Sequence, residues 1–206
     1  MIITAKQGKG DKIHISIDGE YSMTVDAVYW YSLGISSGDE IDGEEFEILK
    51  NKVESRRAFN NSLDILSRRA HSKEELRRKL RRKYSEEACQ SAIERIEELG
   101  YIDDEKFAED YAAQLFEVKH MAPYAISREL MLKGVDRDIV RRVVDDIEFD
   151  PQEEIRQIVE KKYAGKLNDE KQIRRAYNAL IRLGYRYSDI MNVLKEYFRH
   201  NYVENL

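Results

Sequence analysis

Residues 68–84 read "RRAHSKEELRRKLRRKY", and the middle of this stretch sets the fold. Ser72 followed by Glu75 is an S-x-x-E capping box, so a helix is expected to start at about Lys73, with Leu76 and Leu80 one turn apart on its buried face. The same spacing recurs along the chain. Leu80, Leu130 and Leu180 stand 50 residues apart, as do Leu76, Ile126 and Ala176. The helices that follow align at 51: Ala88, Ile139 and Ile190; Ala92, Val143 and Leu194; Ile96, Ile147 and Phe198. A fixed period of this length is the signature of a repeat architecture in which each unit is too small to bury its own apolar stripe.

Phe59, Leu63 and Leu66 open the first set, with Leu99 closing its third stripe, and Phe107, Tyr111 and Leu115 open the second. Ile155, Ile158 and Val159 open the third, followed by Ile173, Ala176, Tyr177 and Leu180, with the connection lengthened by "AGKLNDE" (164–170). Pro123 suits a first helical turn, Pro151 follows an Asp150 cap, and Gly134 and Gly184 end second helices. The expectation is a mainly α protein with three tandem three-helix repeats in an elongated array, at 55–102, 103–149 and 150–206.

Before them, residues 1–54 read as a small β/α unit. In "KIHISIDGEYSMTV" (12–25), Ile13, Ile15 and Ile17 alternate with polar residues, as do Tyr21, Met23 and Val25, and Asp18-Gly19 supplies a two-residue hairpin turn. Ile2 and Ile3 start a third strand. "DAVYWYSLG" (26–34) reads as a short helix ended by Gly34, and "SGDEIDGEEFEIL" (37–49) as a turn leading into another.

The chain has 206 residues, a formal net charge of -5, 36% charged residues and 42% apolar ones. That apolar content supports a folded chain with an ionic surface, and the acidic balance excludes a uniformly basic nucleic-acid binder. Any polyanion site must be local. The run at 68–84 is one candidate, through Arg68, Arg69, Lys73, Arg77, Arg78, Arg81 and Arg82. Arg77 with Arg81 and Arg78 with Arg82 are like-charged i, i+4 pairs, which folding alone does not ask for. An anion-binding face is the favoured reading, and an ordinary solvated face, with Arg stems covering apolar surface, is the alternative. Basic residues recur in the second repeat as Lys133, Arg137, Arg141 and Arg142, and in the third as Arg174, Arg175, Arg182 and Arg186. Acids concentrate in "DGEEFE" (42–47), "IEELGYIDDEKFAED" (96–110) and "VDDIEFDPQEE" (144–154). Such a bipolar surface suits a composite ligand, for example nucleic acid already coated by protein.

Machinery for chemistry is not expected. The acids at 103–105 are explained by an Asp103 or Asp104 cap in a first turn. His14, His71, His120 and His200 are scattered, and His71 reads as a surface or cap-packing residue. Cys89 reads as a small core residue. There is no phosphate-binding loop motif, no signal-peptide core and no apolar run long enough for a membrane span. Tyr101, Tyr111, Tyr124, Tyr163, Tyr177, Tyr185 and Tyr187 offer base-stacking faces, though most are expected to line helix junctions.

Four motifs in order, "SRRAHSKEELRRKL" (67–80), "LGYIDDEKFAEDYA" (99–112), "ISRELMLKGVDRDIV" (126–140) and "ALIRLGYRYSDIMNVL" (179–194), resemble the RecX family of bacterial RecA regulators. The likeness spans about residues 57–200. The motif positions are Arg69, His71, Ser72, Glu75, Leu76 and Leu80; Gly100, Tyr101, Asp103, Asp104, Phe107 and Ala108; Glu129, Leu130, Lys133 and Gly134; and Leu183, Gly184 and Tyr185. One departure is "KHMAP" (119–123), with Ala122 where members often have Gly, so a close backbone approach is not expected there. The resemblance implies tandem three-helix repeats lying in the groove of a RecA filament on single-stranded DNA, limiting filament growth, strand exchange and co-protease function. It implies as partners the RecA filament and single-stranded or double-stranded DNA, and neither enzymatic activity nor a cofactor. A cytoplasmic monomer, with no membrane partner, is the accompanying expectation. A stand-alone nucleic-acid binder and a helical-repeat scaffold for a protein partner are the competing readings.

Overall fold

Three strands pair in the order β1-β2-β3, all antiparallel: β1 Ile3–Gln7, β2 Lys12–Ile17 and β3 Glu20–Asp26. In this computed structural model the described residues are 1–163, 167 and 170–203, with side chains to Tyr197. Most of "AGKLNDE" and the side chains of Phe198 and His200 therefore lie outside the described residues.

The hairpin turn forms as the sequence requires. Asp18 and Gly19 both have positive φ, 51° and 87°, matching the twist of the strands they join. Ile13, Ile15, Met23 and Val25 face the core, with Trp30 beneath them. Tyr21 does not. A register shift at Ile15/Ser16 leaves Met23 opposite Ile15 but Tyr21 opposite Ser16, so one extra residue on β3 breaks the alternation. Tyr21 is 66% exposed and turns to the outer face, where its hydroxyl meets Thr24 Oγ1 at 3.1 Å.

The helices are α1 Ala27–Ser32, α2 Gly43–Leu66, α3 Lys73–Leu80, α4 Glu86–Glu98, α5 Asp104–Ala113, α6 Pro123–Leu132, α7 Arg137–Asp145, α8 Pro151–Tyr163, α9 Glu170–Arg182 and α10 Tyr187–Val203. A π-helical turn, Gln114–Val118, extends α5. Asp42 and Glu45 form a reciprocal capping box at the start of α2, which then runs unbroken through residue 55. Its first half covers the sheet with Leu49 and Val53, and its second half packs on α4.

That second half buries a different stripe from the expected Phe59, Leu63 and Leu66, which are only half-buried. Ala58 and Ser62 are the fully buried positions, and Ser62 Oγ donates to Ala58 O at 2.8 Å. Small residues there admit the close approach of α4, whose Ala88, Cys89, Ala92, Ile93 and Ile96 are buried. Leu99, expected on the same stripe, is 43% exposed because it already lies at the C-cap. Glu54 of α2 fixes the α4 entry, accepting from Ser85 N at 2.9 Å and Ser85 Oγ at 2.8 Å.

The chain divides into two compact units, Met1–Ser67 with Arg77–Leu99, and Arg68–Leu76 with Gly100–Leu206. The second contains one core of Phe107, Ala108, Leu115, Ile126, Leu130, Val135 and Val140, and another of Ile155, Ile158, Val159, Ala176, Leu180, Tyr185, Ile190 and Leu194. Val140 is 1% exposed while Ile139 is half-buried, so the third helices keep the register Cys89, Val140, Ile190 rather than Ala88, Ile139, Ile190. Each donates the same first-turn bond: Cys89 N to Ser85 O at 3.0 Å, Val140 N to Asp136 O at 2.9 Å, and Ile190 N to Arg186 O at 3.1 Å.

The extra residue in the first offset is identifiable. After Leu130 and Leu180 the chain closes through Gly134 and Gly184, at φ 81° and 93°, with Val135 N donating to Leu130 O and Tyr185 N to Leu180 O, both at 3.2 Å. These are Schellman closures. After Leu80 there is no glycine, and Tyr84 N bonds Leu80 O directly at 3.1 Å.

Candidate nucleic-acid and partner interface

The basic stretch at 68–84 separates into cations that hold the fold and cations that face solvent. Ser72 Oγ accepts from Glu75 N at 3.1 Å, making the forward half of the expected capping box. The reciprocal half is not made. The Glu75 carboxylate instead accepts from Arg69 at 3.0 and 3.1 Å and from Lys133 Nζ at 2.8 Å, since two cations outcompete one neutral amide. Ser72 Oγ also donates to Lys133 O at 2.5 Å, and Lys73 N donates to Asp104 Oδ1 at 2.7 Å. Lys133 Nζ lies 5.4 Å from the centroid of Tyr111, which stacks on Phe107. Thus Arg69, Glu75 and Lys133 form an internal ion cluster. His71 is buried within it, its Nδ1 donating to Arg69 O at 2.9 Å, and is not a surface residue.

Burial pushes the Glu75 carboxyl upward, but the hydrogen bonds and charges of Arg69 and Lys133 outweigh it and hold the group down at about 2. An unfolded Glu titrates near 4.5, so this contribution is complete above that pH and is lost as pH falls toward about 2. Allowing for partial exposure, the loss is about 2 kcal/mol. Urea melts at pH 6, 4 and 3 are expected to show the stability gap between the parent and Glu75→Gln shrinking as pH falls. A gap independent of pH would remove Glu75 from this role.

A second joint repeats the first with a 50-residue offset. Ala122 N donates to Leu183 O at 2.8 Å, where Ser72 Oγ had donated to Lys133 O. The close backbone approach that the absence of Gly at 122 argued against is therefore made. Gly184, on the other side, supplies the room: a Cβ there would meet Ala125 Cβ at 2.6 Å. Tyr185 is 4% exposed and its hydroxyl donates to His120 O at 3.0 Å. Burial, reinforced by the Glu154 charge, raises the Tyr185 pKa.

The remaining site candidates divide the same way. Arg77 is half-buried and donates to Gln90 at 3.1 Å, Arg81 pairs with Glu86 at 2.5 Å, Arg141 with Asp138 at 3.0 Å, and Arg142 with Glu105 at 2.7 Å. Arg68 and Arg78 are exposed. Arg82, Arg137, Arg174, Arg175, Arg182 and Arg186 are exposed, and their side chains make no hydrogen bond or ion pair with a described residue. Asp103 is the acid that caps α5, accepting from Glu105 N and Lys106 N at 3.0 Å, while Asp104 serves Lys73. Cys89 is fully buried, as a core residue should be, and its burial raises the thiol pKa.

Arg128 was missed at the sequence level. It shares α6 with Tyr124, which is 77% exposed, and both line a cleft of about 420 Å³ with Arg182 and Arg186. The only signal was an i, i+4 spacing of Tyr124 and Arg128 on a polar helix face. Tyr111 and Tyr185 line junctions as expected, whereas Tyr101 and Tyr187, like Tyr124, are more than half exposed.

Residues 58–95 match the model of the first RecX three-helix domain, and residues 103–144 that of the second. A "Regulatory protein RecX" of Caldanaerobacter subterraneus subsp. tengcongensis is 34% identical over 202 residues, covering 94% of this chain and 98% of that protein. A second, of Clostridium botulinum, is 26% identical over 192 residues, covering 90% of each chain. Among solved structures, a "Crystal structure of regulatory protein RecX" superposes with a TM-score of 0.64 over 94% of this chain and 97% of that one, at 20% identity. RecX from Lactobacillus salivarius gives 0.56 over 69% and 96%, at 21% identity, and both likenesses concern the fold. With a relative more than 30% identical over nearly its whole length and two domain models matched in order, the chain belongs to the RecX family.

Proposed function

We propose that this protein inhibits RecA recombinase by binding in the groove of the RecA filament on single-stranded DNA, limiting filament growth, strand exchange and co-protease activity. The observation that carries the reading is the near full-length likeness to a regulatory RecX protein. The charge distribution supports it. Unpaired arginines recur on α7, α9 and the α9–α10 turn, while acids cap α2, α5 and α8. A filament presents both phosphates and protein surface, and such a molecule has groups for each. The working parts are the β/α unit 1–54 and the repeats 55–102, 103–149 and 150–206. The protein acts as a cytoplasmic monomer without chemistry of its own; among the described residues no helix is long and apolar enough to cross a membrane.

The structure changes which arginines should be tested. Arg69, Lys133, Arg77 and Arg81 serve intramolecular contacts, so reversing them confounds folding with binding. Arg82, Arg137, Arg174, Arg175, Arg182 and Arg186 are the informative set. Titrating the protein at substoichiometric amounts into RecA on single-stranded DNA is expected to suppress ATP hydrolysis. An unchanged rate would overturn the reading. Retained DNA binding would then favour a stand-alone nucleic-acid binder, and its absence a protein scaffold.

A further inference from the structure

The cleft between α6 and the α9–α10 turn has a composition that folding does not explain. Three guanidinium groups from two parts of the chain, Arg128 on α6 and Arg182 and Arg186 about the α9–α10 turn, line it, and no carboxylate does. All three are exposed, and their side chains make no hydrogen bond or ion pair with a described residue. Elsewhere in this unit Arg69, Arg141, Arg142 and Arg156 each have a carboxylate within 3.2 Å, whereas the side chains of Arg137, Arg174 and Arg175, like those in the cleft, have none among the described residues. Convergent like charge without a counter-ion is unfavourable unless an anion completes it. The ring of Tyr124 stands at the rim, 77% exposed, beside Ile181 at 42%. The floor is rigid: Gly184 is pressed against Ala125, Ala122 N is bonded to Leu183 O, and the Tyr185 hydroxyl is bonded to His120 O.

Planar guanidinium groups match phosphate oxygens in a bidentate fashion, and an exposed tyrosine offers a face that any base can stack on. We infer that this cleft binds single-stranded nucleic acid directly, Arg128, Arg182 and Arg186 holding about three successive phosphates while one base stacks on Tyr124. The assignment deepens the function proposed above by naming the part of the surface that takes the strand. An adjoining cleft of about 320 Å³, lined by Tyr124, Phe149, Pro151 and Tyr185 with Arg186 and Asp189 at its polar side, has room for a neighbouring base.

The test uses the full chain and a fluorescein-labelled 20-residue oligo(dT), read by anisotropy between 25 and 200 mM salt, without RecA. Three phosphate contacts at about 0.7 each give a logarithmic salt slope near -2. The Arg128→Ala/Arg182→Ala/Arg186→Ala variant is expected to bind at least tenfold more weakly at low salt and to lose most of that slope. Tyr124→Ala is expected to bind about 5- to 100-fold more weakly with its slope unchanged, because stacking releases no counter-ions. Lys119→Ala, exposed and outside the cleft, should stay within twofold. An unaltered slope in the triple variant overturns the assignment, as does an absence of oligonucleotide binding by the parent. If the triple variant binds the oligonucleotide normally yet no longer suppresses RecA hydrolysis, the cleft takes an acidic protein surface instead. If it loses the oligonucleotide while the parent never suppresses RecA, the cleft assignment stands and the RecA reading falls.

Discussion

Gly184→Ala is expected to destabilise the unit containing residues 100–206 by about 2–5 kcal/mol. Two independent terms add. Gly184 has φ 93°, where an L side chain is strained by about 1–2 kcal/mol. The new Cβ would also fall 2.6 Å from Ala125 Cβ, and neither α6 nor the α9–α10 turn can retreat without breaking the Ala122–Leu183 bond. Forced overlap of this kind costs about 1–3 kcal/mol. Gly100→Ala is the internal comparison. Its φ is 71° but a Cβ there meets nothing within 4 Å, so only the strain term applies and the loss should be about 1–2 kcal/mol. Adding Ala125→Gly to Gly184→Ala should recover the overlap term, giving a coupling of about 1–3 kcal/mol in a double-mutant cycle by denaturant unfolding. Equal losses at positions 100 and 184, or strict additivity with Ala125→Gly, would show that the two side chains do not compete for the same space.

Removing the carboxylate at position 75 has the next largest effect. Glu75→Gln is expected to lower stability by about 2 kcal/mol at neutral pH, because Lys133, whose side chain is 25% exposed, keeps its charge with only the Tyr111 ring beside it. Arg69 is half exposed and can turn to solvent, so its share is small. Lys133→Met in the Glu75→Gln background should therefore restore part of the loss, removing the stranded ammonium while the methionine chain still covers Tyr111. If Lys133→Met instead deepens the loss by its full single-mutant amount, the cluster is not held by charge pairing.

These joints bear on what the family motif positions do. Arg69, His71, Ser72, Glu75, Asp104 and Lys133 meet one another, and Leu183, Gly184 and Tyr185 meet Ala122, Ala125 and His120. They set how helices of one unit join, which is a role in positioning. The candidate contacts with DNA or RecA lie among other residues. Arg69, Arg77 and Arg81, singled out at 68–84, are therefore poor targets for abolishing function without disturbing the fold, and the cleft arginines are better ones.

The amino-acid sequence by itself determined the elements and their repetition. The Asp18-Gly19 turn, the Pro123 and Asp150 starts and the Asp103 cap are written in residues no more than a few positions apart, where steric and capping preferences act directly, and the Leu80, Leu130, Leu180 register shows as the same local pattern repeated every 50 residues. Only tertiary structure decided what those signals leave open. A bulge opposite Ser16 turned Tyr21 outward, and Ala58 and Ser62 displaced Phe59 and Leu63 from the stripe facing α4. It also separated the arginines. Arg69 and Lys133 become structural because Glu75 lies between them, with Lys133 58 positions along the chain from it, whereas the side chains of Arg128, Arg182 and Arg186 pair with no acid among the described residues. Periodicity shows which face of a helix is wet, but a charge's partner is fixed by distances across elements, and those exist only once the helices have packed.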